Sequence, residues 1–379
     1  MRETVLTGCR IVTHDEVIRG SLLLRDGTIV SIDHGRSAGP GAIDCDGDVI
    51  IPGMIELHTD NLDKHIAPRP KVHWPAASAV IAHDAQIATA GITTVFDSIA
   101  VGDIEQSSDR IKTLTDMVEG LTACQRQEML RVEHYLHLRC EISHGGLQDY
   151  LDQISDHPSL HLLSLMDHTP GQRQFADMRQ YENYYKNKYH LSDGALEAFI
   201  ERCRADRDRH GDANRAAVIA LARARDIKLA SHDDATAAHA DEAAKAGAVV
   251  GEFPTTFEAA AALREHDIDI LSGAPNVVRG ESHSGNVSAL ALAERALVDI
   301  LSSDYVPASL LPATFRLVEE LDYALPEAVR LSTANPAAAM GFDDRGRIEI
   351  GRRADLVRVS QRGSLPVVAM VWRGGARVA

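Results

Sequence analysis

Histidines beside carboxylates are the residues of this chain best suited to chemistry. The 379 residues include 18 histidines, and several of these adjoin an aspartate or a glutamate. In the segment His58-Thr59-Asp60, the first and third residues of a strand point to the same side, so they can bind one cation together. A histidine nitrogen with a carboxylate oxygen suits zinc, manganese or iron. Many turns contain this spacing, so it indicates a metal site only together with further ligands.

Further potential ligands end other apolar segments of the chain, and these are Glu141, His168, His232 and Asp304. With His58 and Asp60 they supply enough imidazoles and carboxylates for two metal ions that share a carboxylate, and a final aspartate to accept the proton of an attacking water. Carboxylates inside an apolar core are costly unless cations pair with them, which favours a metal site. Asp97 and Glu252 also end apolar segments, either as supports for the ligands or as satisfied core carboxylates.

The elements that must position these residues alternate along the middle of the chain. Strands are predicted at Val49–His58, Thr93–Asp97, His134–Glu141, Leu160–Asp167, Ile227–His232, Ala248–Glu252, Ile268–Ser272 and Ile300–Asp304. Helical patterns follow most of them, at Ala76–Ala90, Ile111–Glu128, Ala195–Arg209, Asn214–Arg225, Ala235–Ala246 and Phe257–Glu265. This alternation predicts the α/β class and a closed (β/α)8 barrel.

An open doubly wound sheet is the competing architecture. Such a sheet usually carries a glycine-rich phosphate turn after an early strand, and the sequence contains no GxGxxG or GxxxxGK[ST] motif. The placement of the polar residues favours the barrel, because the carboxyl ends of barrel strands converge on one face, which is where (β/α)8-barrel enzymes have their active sites. One buried histidine or carboxylate is ordinary in a large core, whereas the same feature at the end of strand after strand is not.

Both ends of the chain have the texture of short β-strands. The segments Gly8–Val12, Ser21–Leu24 and Thr28–Ile32 are apolar and β-branched, and Val367–Trp372 is similar. We therefore predict one small β domain, resembling a sandwich, from residues 1–50 and 342–379, and a catalytic barrel from residues 51–341.

The composition excludes several classes of function. Acidic residues outnumber basic ones by 55 to 39, which gives a net charge of -16 and argues against nucleic-acid binding and against docking on anionic lipid. The sequence lacks a run of 18 apolar residues and a signal-peptide pattern, and its five scattered cysteines do not form a disulfide framework. We expect a cytoplasmic protein with reduced thiols and no membrane partner, and a homo-oligomer stays open.

The segment from Gly346 to Val357, Gly-Arg-Ile-Glu-Ile-Gly-Arg-Arg-Ala-Asp-Leu-Val, resembles the phrase that returns the chain from barrel to β domain in the amidohydrolase superfamily. That superfamily usually carries His-x-His on the first barrel strand, and this chain departs from it with His58-Thr-Asp60. The stretches 56–70 and 82–97 are more specific, and together with Leu-Arg-Cys-Glu, Ser-His-Asp-Asp and Met-Asp-His-Thr-Pro-Gly-Gln-Arg-Gln they closely resemble the PhnM family of phosphonate catabolism.

This resemblance covers essentially the whole chain and implies a reaction. It implies hydrolysis of α-D-ribose 1-methylphosphonate 5-triphosphate to the 5-phosphate and pyrophosphate, in the carbon–phosphorus lyase pathway. Two zinc ions are expected, with manganese or iron as alternatives, held by His58, Asp60, Glu141, His168 and His232. Glu141 would bridge the metals, and Asp304 would orient and deprotonate the water while also lying among the metal ligands.

An anionic phosphorylated sugar requires local cations in an acidic protein. The loops at the catalytic end supply Lys64, His65, Arg69, Arg173, Arg279 and His283 as candidate phosphate-binding residues. Any single surface lysine or arginine is usually only solvated, and the glycine- and serine-rich loop favours binding for Arg279 and His283. The Tyr- and Lys-rich insertion Tyr181–His190 is either a lid or an exposed helical insertion.

Two rival functions remain open at this point. The first is an amidohydrolase that cleaves a C–N bond, as a deacetylase, cyclic amidase or deaminase, with the same fold and metals but without need of the cationic loops. The second is a non-catalytic barrel that serves as an oligomeric scaffold, which a metal assay on the purified protein would detect.

Overall fold

The computed structural model describes residues 3–37, 39, 41–69, 71–104, 109–173, 192–281, 286–363 and 365–379. His283, for which phosphate binding was predicted, and the insertion Tyr181–His190, which was expected to be a lid or an exposed helical insertion, lie outside these ranges.

The described strands are, in chain order, β1 (Glu3–Val12), β2 (Val17–Arg25), β3 (Thr28–His34), β4 (Ile43–Asp44), β5 (Val49–Pro52), β6 (Met54–Thr59), β7 (Ile92–Val101), β8 (Glu133–Glu141), β9 (Leu160–Met166), β10 (Lys228–His232), β11 (Val250–Glu252), β12 (Asp269–Gly273), β13 (Ile300–Ser302), β14 (Leu356–Arg362), β15 (Leu365–Arg373) and β16 (Ala376–Arg377). The described helices are α1 (Asn61–Ile66), α2 (Ala76–Thr89), α3 (Asp109–Arg126), α4 (Leu147–Ile154), α5 (Asp193–Arg225), α6 (Ala237–Ala246), α7 (Phe257–Glu265), α8 (Ala274–Arg279), α9 (Ala289–Ala293), α10 (Leu310–Glu320), α11 (Leu325–Arg330) and α12 (Ala334–Ala339).

Strands β6 to β13 form the barrel. They pair in parallel and in sequence order, and a parallel bridge between Thr59 and Asp304 joins the last strand to the first. Helices lie between successive strands, as the right-handed crossover of parallel strands requires. The predicted (β/α)8 architecture is therefore confirmed.

The two ends of the chain meet in a separate sheet. Its strand order is β16-β15-β14-β5-β1-β2-β3, with β4 paired to β1. Leu6, Ile11, Leu22, Leu356 and Trp372 are buried together against this sheet, and burying each such side chain stabilises the fold by about 1.5–3 kcal/mol. The predicted pairing of the termini in a β unit is confirmed, while the boundaries at residues 50 and 342 stay a prediction.

Several predicted elements were wrong in extent. The segment Val49–His58 is not one strand, because β5 belongs to the terminal sheet and β6 to the barrel. Gly53 separates them, and a Cβ at this position would collide with the side chain of Thr93, so the close crossing requires glycine. The two helices predicted between residues 195 and 225 form the single helix α5.

The described residues contain no helix long and apolar enough to cross a bilayer. All five cysteines, Cys9, Cys45, Cys124, Cys140 and Cys203, are buried.

Candidate metal centre

An apolar layer fills the lower part of the barrel. Phe96, Leu162, Ala230, Val250, Leu271 and Ile300 come from six strands and form one buried cluster. Because side chains alternate along a strand, the residue two positions farther on points to the same side and one layer higher. Those residues are mostly polar: Ser98, Ser164, His232, Glu252 and Ser302. We call this set, with His137 of β8, the polar layer.

Glu252 lies at the centre of the polar layer and is fully buried. Its Oε1 lies 2.9 Å from Nδ1 of His58, and its Oε2 lies 3.0 Å from Nδ1 of His232. Burial alone would raise the pKa of Glu252, but the electrostatic influence of the His58 and His137 imidazoles and the hydrogen bonds from His232 and His58 outweigh it, so the pKa is well below its ordinary value. An ionised Glu252 thus accepts from both Nδ1–H groups, which leaves each Nε2 with a lone pair for a metal.

A chain of hydrogen bonds holds this carboxylate from behind. The Ser164 hydroxyl donates to Oε2 of Glu252 over 2.7 Å and also contacts Nε2 of His137. Burial lowers the pKa of His137 to about 3, so its ring is neutral at pH 7. The ring packs edge-on against His58, with centroids 4.9 Å apart. The rotamer of His58 is therefore restricted from two sides.

His168 and His232 lie close to each other at the carboxyl ends of neighbouring barrel strands. Oε2 of Glu141 lies 2.7 Å from Nδ1 of His168. Burial opposes a charge on this imidazole, but the hydrogen bond and charge of Glu141 outweigh it, and the pKa of His168 is raised. Ligand atoms of His168, His232 and Asp233 lie within 4.8 Å of one another. Asp233, which the sequence analysis did not select, follows directly after a predicted ligand.

Asp60 and Asp304 are two further carboxylates at this end of the barrel. Oδ1 of Asp60 is buried and has no hydrogen-bond partner among the described residues. Burial and the nearby charge of Asp60 raise the pKa of Asp304 to about 7. Asp304 does not cap a helix, because the next helical turn begins after Val306 and α10 begins after Ser309. The capping role that would compete with catalysis is therefore absent at this residue.

The donor set fits a transition metal. Nitrogen and carboxylate oxygen donors of the kind that zinc binds lie at one face, and His168, His232 and Asp233 offer donor atoms within 4.8 Å of one another. The orphaned Oδ1 of Asp60 is an acceptor that a cation would satisfy.

Comparison with known proteins identifies the family. The chain is 47% identical to the α-D-ribose 1-methylphosphonate 5-triphosphate diphosphatase of Escherichia coli (strain K12), over 99% of this chain and 100% of that protein. It belongs to this diphosphatase family. The model of the amidohydrolase family matches residues 287–379.

Solved structures share the fold of this diphosphatase-family chain at low sequence identity. N-acetyl-D-glucosamine-6-phosphate deacetylase from Mycobacterium smegmatis superimposes with a TM-score of 0.63 at 18% identity, covering 99% of this chain and 100% of that one. The 5-methylcytosine deaminase from Klebsiella pneumoniae gives a TM-score of 0.66 at 14% identity, covering 99% and 97%. These likenesses support the barrel with its terminal sheet.

A second histidine–carboxylate cluster of the diphosphatase-family chain lies between strand β7 and helix α2. Oδ1 of Asp97 lies 2.7 Å from Nε2 of His83, and Oδ2 lies 2.8 Å from Nδ1 of His134. Nε2 of His134 lies 3.4 Å from Asp84, and Nδ1 of His83 lies 3.1 Å from the Asn61 amide. Hydrogen bonds already saturate these ring nitrogens, so the cluster is a polar network and not a metal site.

This network corrects the expected place of Asp97. Strand β7 continues to Val101, so Asp97 lies in mid-strand, beside Phe96 of the apolar layer, and points away from the barrel interior. It is a satisfied core carboxylate. Glu252 instead lies within hydrogen-bond distance of His58 and His232, as expected of a support for the predicted ligands.

The predicted phosphate-binding cations differ in their surroundings. Lys64 donates to the backbone oxygen of Tyr305, Nε2 of His65 lies 2.9 Å from Oε1 of Gln86, and Arg69 is exposed in the loop after α1.

The two predicted arginines that lie on later elements contrast with each other. Arg173 is buried and forms an ion pair with Asp234, whereas Arg279 is half-exposed and lies 3.5 Å from Glu281. The structure therefore does not bring the predicted cations together in one described cluster. Arg139 of β8, which sequence reasoning missed, lies 3.9 Å from Asp60, one of the predicted ligands. Its position two residues before Glu141 was the available signal.

Proposed function

We propose that the chain hydrolyses the triphosphate of α-D-ribose 1-methylphosphonate 5-triphosphate and releases pyrophosphate and the 5-phosphate. The observation that carries this proposal is the 47% identity to the Escherichia coli diphosphatase over nearly the full length of both chains. The substrate is a phosphorylated sugar with many negative charges. The cytoplasm is the proposed location.

We infer that two divalent metal ions, zinc in the first instance and manganese or iron as alternatives, belong to the site. His58, Asp60, Glu141, His168 and His232 would hold them, and Glu141 would be shared between them. When bound, such ions polarise phosphoryl oxygens and lower the pKa of water.

The residues of the chain prepare the reaction around that centre. Glu252 orients His58 and His232 through hydrogen bonds of 2.9 and 3.0 Å, so no reorganisation of the rings is needed during the reaction. Asp304 is proposed as the general base, because its carboxyl lies close to Asp60 at the end of the last barrel strand and a carboxylate placed there can take a proton from water. The backbone bridge between Asp304 and Thr59 fixes this carboxyl next to the first ligand strand.

Phosphorus NMR of the purified enzyme tests the proposal. The enzyme is incubated with the ribose 1-methylphosphonate 5-triphosphate, with ATP and with an N-acetylated sugar phosphate. We expect pyrophosphate, not orthophosphate, from the first substrate. His58→Ala should lose nearly all turnover and metal while staying folded. His266→Ala serves as the matched control. His266 lies on the loop that precedes β12, at the other end of the barrel, and pairs there with Asp241 of α6. Release of acetate or ammonia without pyrophosphate would establish the C–N hydrolase instead.

A further inference from the structure

Arg139 occupies an inward position on strand β8. It stands between His137 and Glu141 at two-residue spacing, and residues with this spacing share one face of a strand. Both neighbours face the barrel interior, because His137 contacts His58 and Ser164 while Glu141 bonds to His168. Arg139 is therefore one layer above His137.

The guanidinium of Arg139 is largely shielded from solvent and lacks a full set of partners. Its side chain is 11% exposed, and the carboxylate oxygen Oδ2 of Asp60 lies 3.9 Å from its terminal nitrogen, which is too far for a hydrogen bond. The Nε–H is buried and has no acceptor among the described residues. A buried donor left in this state costs free energy, and an anionic oxygen would satisfy it.

The other candidate cations lack this combination. Arg173 is more deeply buried, but Asp234 already pairs with it and the backbone oxygen of His232 accepts from it at 3.1 Å. Arg279 is 45% exposed and paired with Glu281. Arg139 thus joins burial, a place among the ligands and an unused N–H group in a single described side chain.

We propose that Arg139 binds the phosphoryl oxygens of the substrate and of the pyrophosphate product, a role that rests on the proposed function. A guanidinium presents its N–H groups in a planar fork that matches two oxygens of a phosphate. Asp60 lies close enough to orient the fork and too far away to saturate it. The residue would neutralise charge on the phosphoanhydride beside Asp304, where the water must attack.

The competing role is structural, in which Arg139 only fixes the carboxylate of Asp60 for metal binding. The two roles differ in what a substitution removes. Loss of a phosphate-binding group weakens anion binding at full metal content, whereas loss of a positioning group first lowers metal content.

The test is calorimetric titration of the metal-loaded enzyme with inorganic pyrophosphate, with elemental analysis of the same samples. For Arg139→Ala we expect unchanged metal content and thermal midpoint, and pyrophosphate affinity lower by roughly 10- to 100-fold, the range of one charge-assisted hydrogen bond. Arg139→Lys should recover only part of the affinity, because the fork is missing. Added guanidinium should partly restore binding to the alanine variant. Arg225→Ala, which removes an exposed arginine paired with Asp156, is the matched control and should bind like the wild type.

Pyrophosphate affinity equal to that of the wild type in Arg139→Ala would overturn the proposal. So would loss of metal from this variant with full recovery of pyrophosphate binding on metal addition. Should the alanine variant fail to fold, Arg139→Gln keeps the size and polarity of the side chain without its charge and is measured in the same way. If the wild type binds pyrophosphate through Arg139 and does not cleave the sugar triphosphate, the proposed function fails while the anion site stands.

Discussion

Oε1 of Glu252 lies 2.9 Å from Nδ1 of His58, although 194 positions separate the two residues in the chain. The other oxygen of the same carboxylate lies 3.0 Å from Nδ1 of His232. One side chain on β11 therefore sets the tautomer and orientation of imidazoles on two other strands, which is how carboxylates commonly support histidine ligands of metals.

Replacing Glu252 with glutamine should weaken metal binding. The amide offers one acceptor oxygen where the carboxylate offers two, so one of the two imidazoles loses its Nδ1–H acceptor. We expect metal affinity to fall about 10- to 100-fold, measured by competition with a chelator of known affinity. The exposed Glu258→Gln, which alters a residue at the start of α7, is the control. Equal affinities in the two variants would show that Glu252 does not orient the ligands.

Asp304→Asn should lower kcat by about 10²–10⁴, the usual value of a positioned general base, with little change in substrate binding. Asparagine keeps the size of the side chain and one acceptor oxygen but is a very poor base. The rate constant is measured by pyrophosphate release at saturating substrate. Because no helix begins at Asp304, a kcat near that of the wild type would remove the proposed base from the mechanism.

Two arginines that were both predicted to bind phosphate should behave differently. Arg173→Ala leaves the fully buried Asp234 without its ion-pair partner and should lower the free energy of unfolding by about 3–5 kcal/mol, measured by chemical denaturation. Arg279→Ala removes a half-exposed side chain and should leave stability nearly unchanged while raising KM for the triphosphate. Similar losses of stability in both variants would contradict this assignment.

Stability should fall between pH 6.5 and 9 because of His134. Burial opposes its charge, but Asp97 and Asp84 outweigh burial and raise the pKa from 6.5 to about 9. A raised folded-state pKa contributes stability that is complete below pH 6.5 and lost as the pH rises through 9.

The interaction of Asp97 with His134 should also lose its contribution to stability at acid pH. Burial opposes the charge of Asp97, but His134 and His83 lower the pKa of Asp97 from 3.8 to about 2, so its contribution is present above pH 4 and lost as the pH falls through 2.

The prediction for His134 is tested by denaturation at pH 6, 7.5 and 9. The His134→Gln variant should be less stable than the wild type at pH 6, and this difference in the free energy of unfolding should shrink by up to about 3 kcal/mol as the pH rises to 9. A deficit that does not change with pH would mean that His134 does not carry the proton.

The sequence by itself determined the architecture and the predicted ligands. Hydrophobic periodicity is local, so it located the strands from Glu133–Glu141 to Lys228–His232 within one or two residues, and parallel strands in sequence order bring their carboxyl ends to one face. His58, Glu141, His168, His232 and Asp304 could be selected on that basis, because each lies where an apolar run ends.

Only the tertiary structure decided what each polar residue faces. Strand β7 runs four residues beyond Asp97. Asp97 therefore does not lie beside the predicted ligands but belongs to the hydrogen-bond network with His83 and His134. The contacts of Glu252 and Arg139 come from side chains on other strands, which the barrel brings into the same layer. The physical reason is that burial makes a charged group depend on its partners, and those partners are distant in sequence and adjacent only when the barrel closes between Thr59 and Asp304.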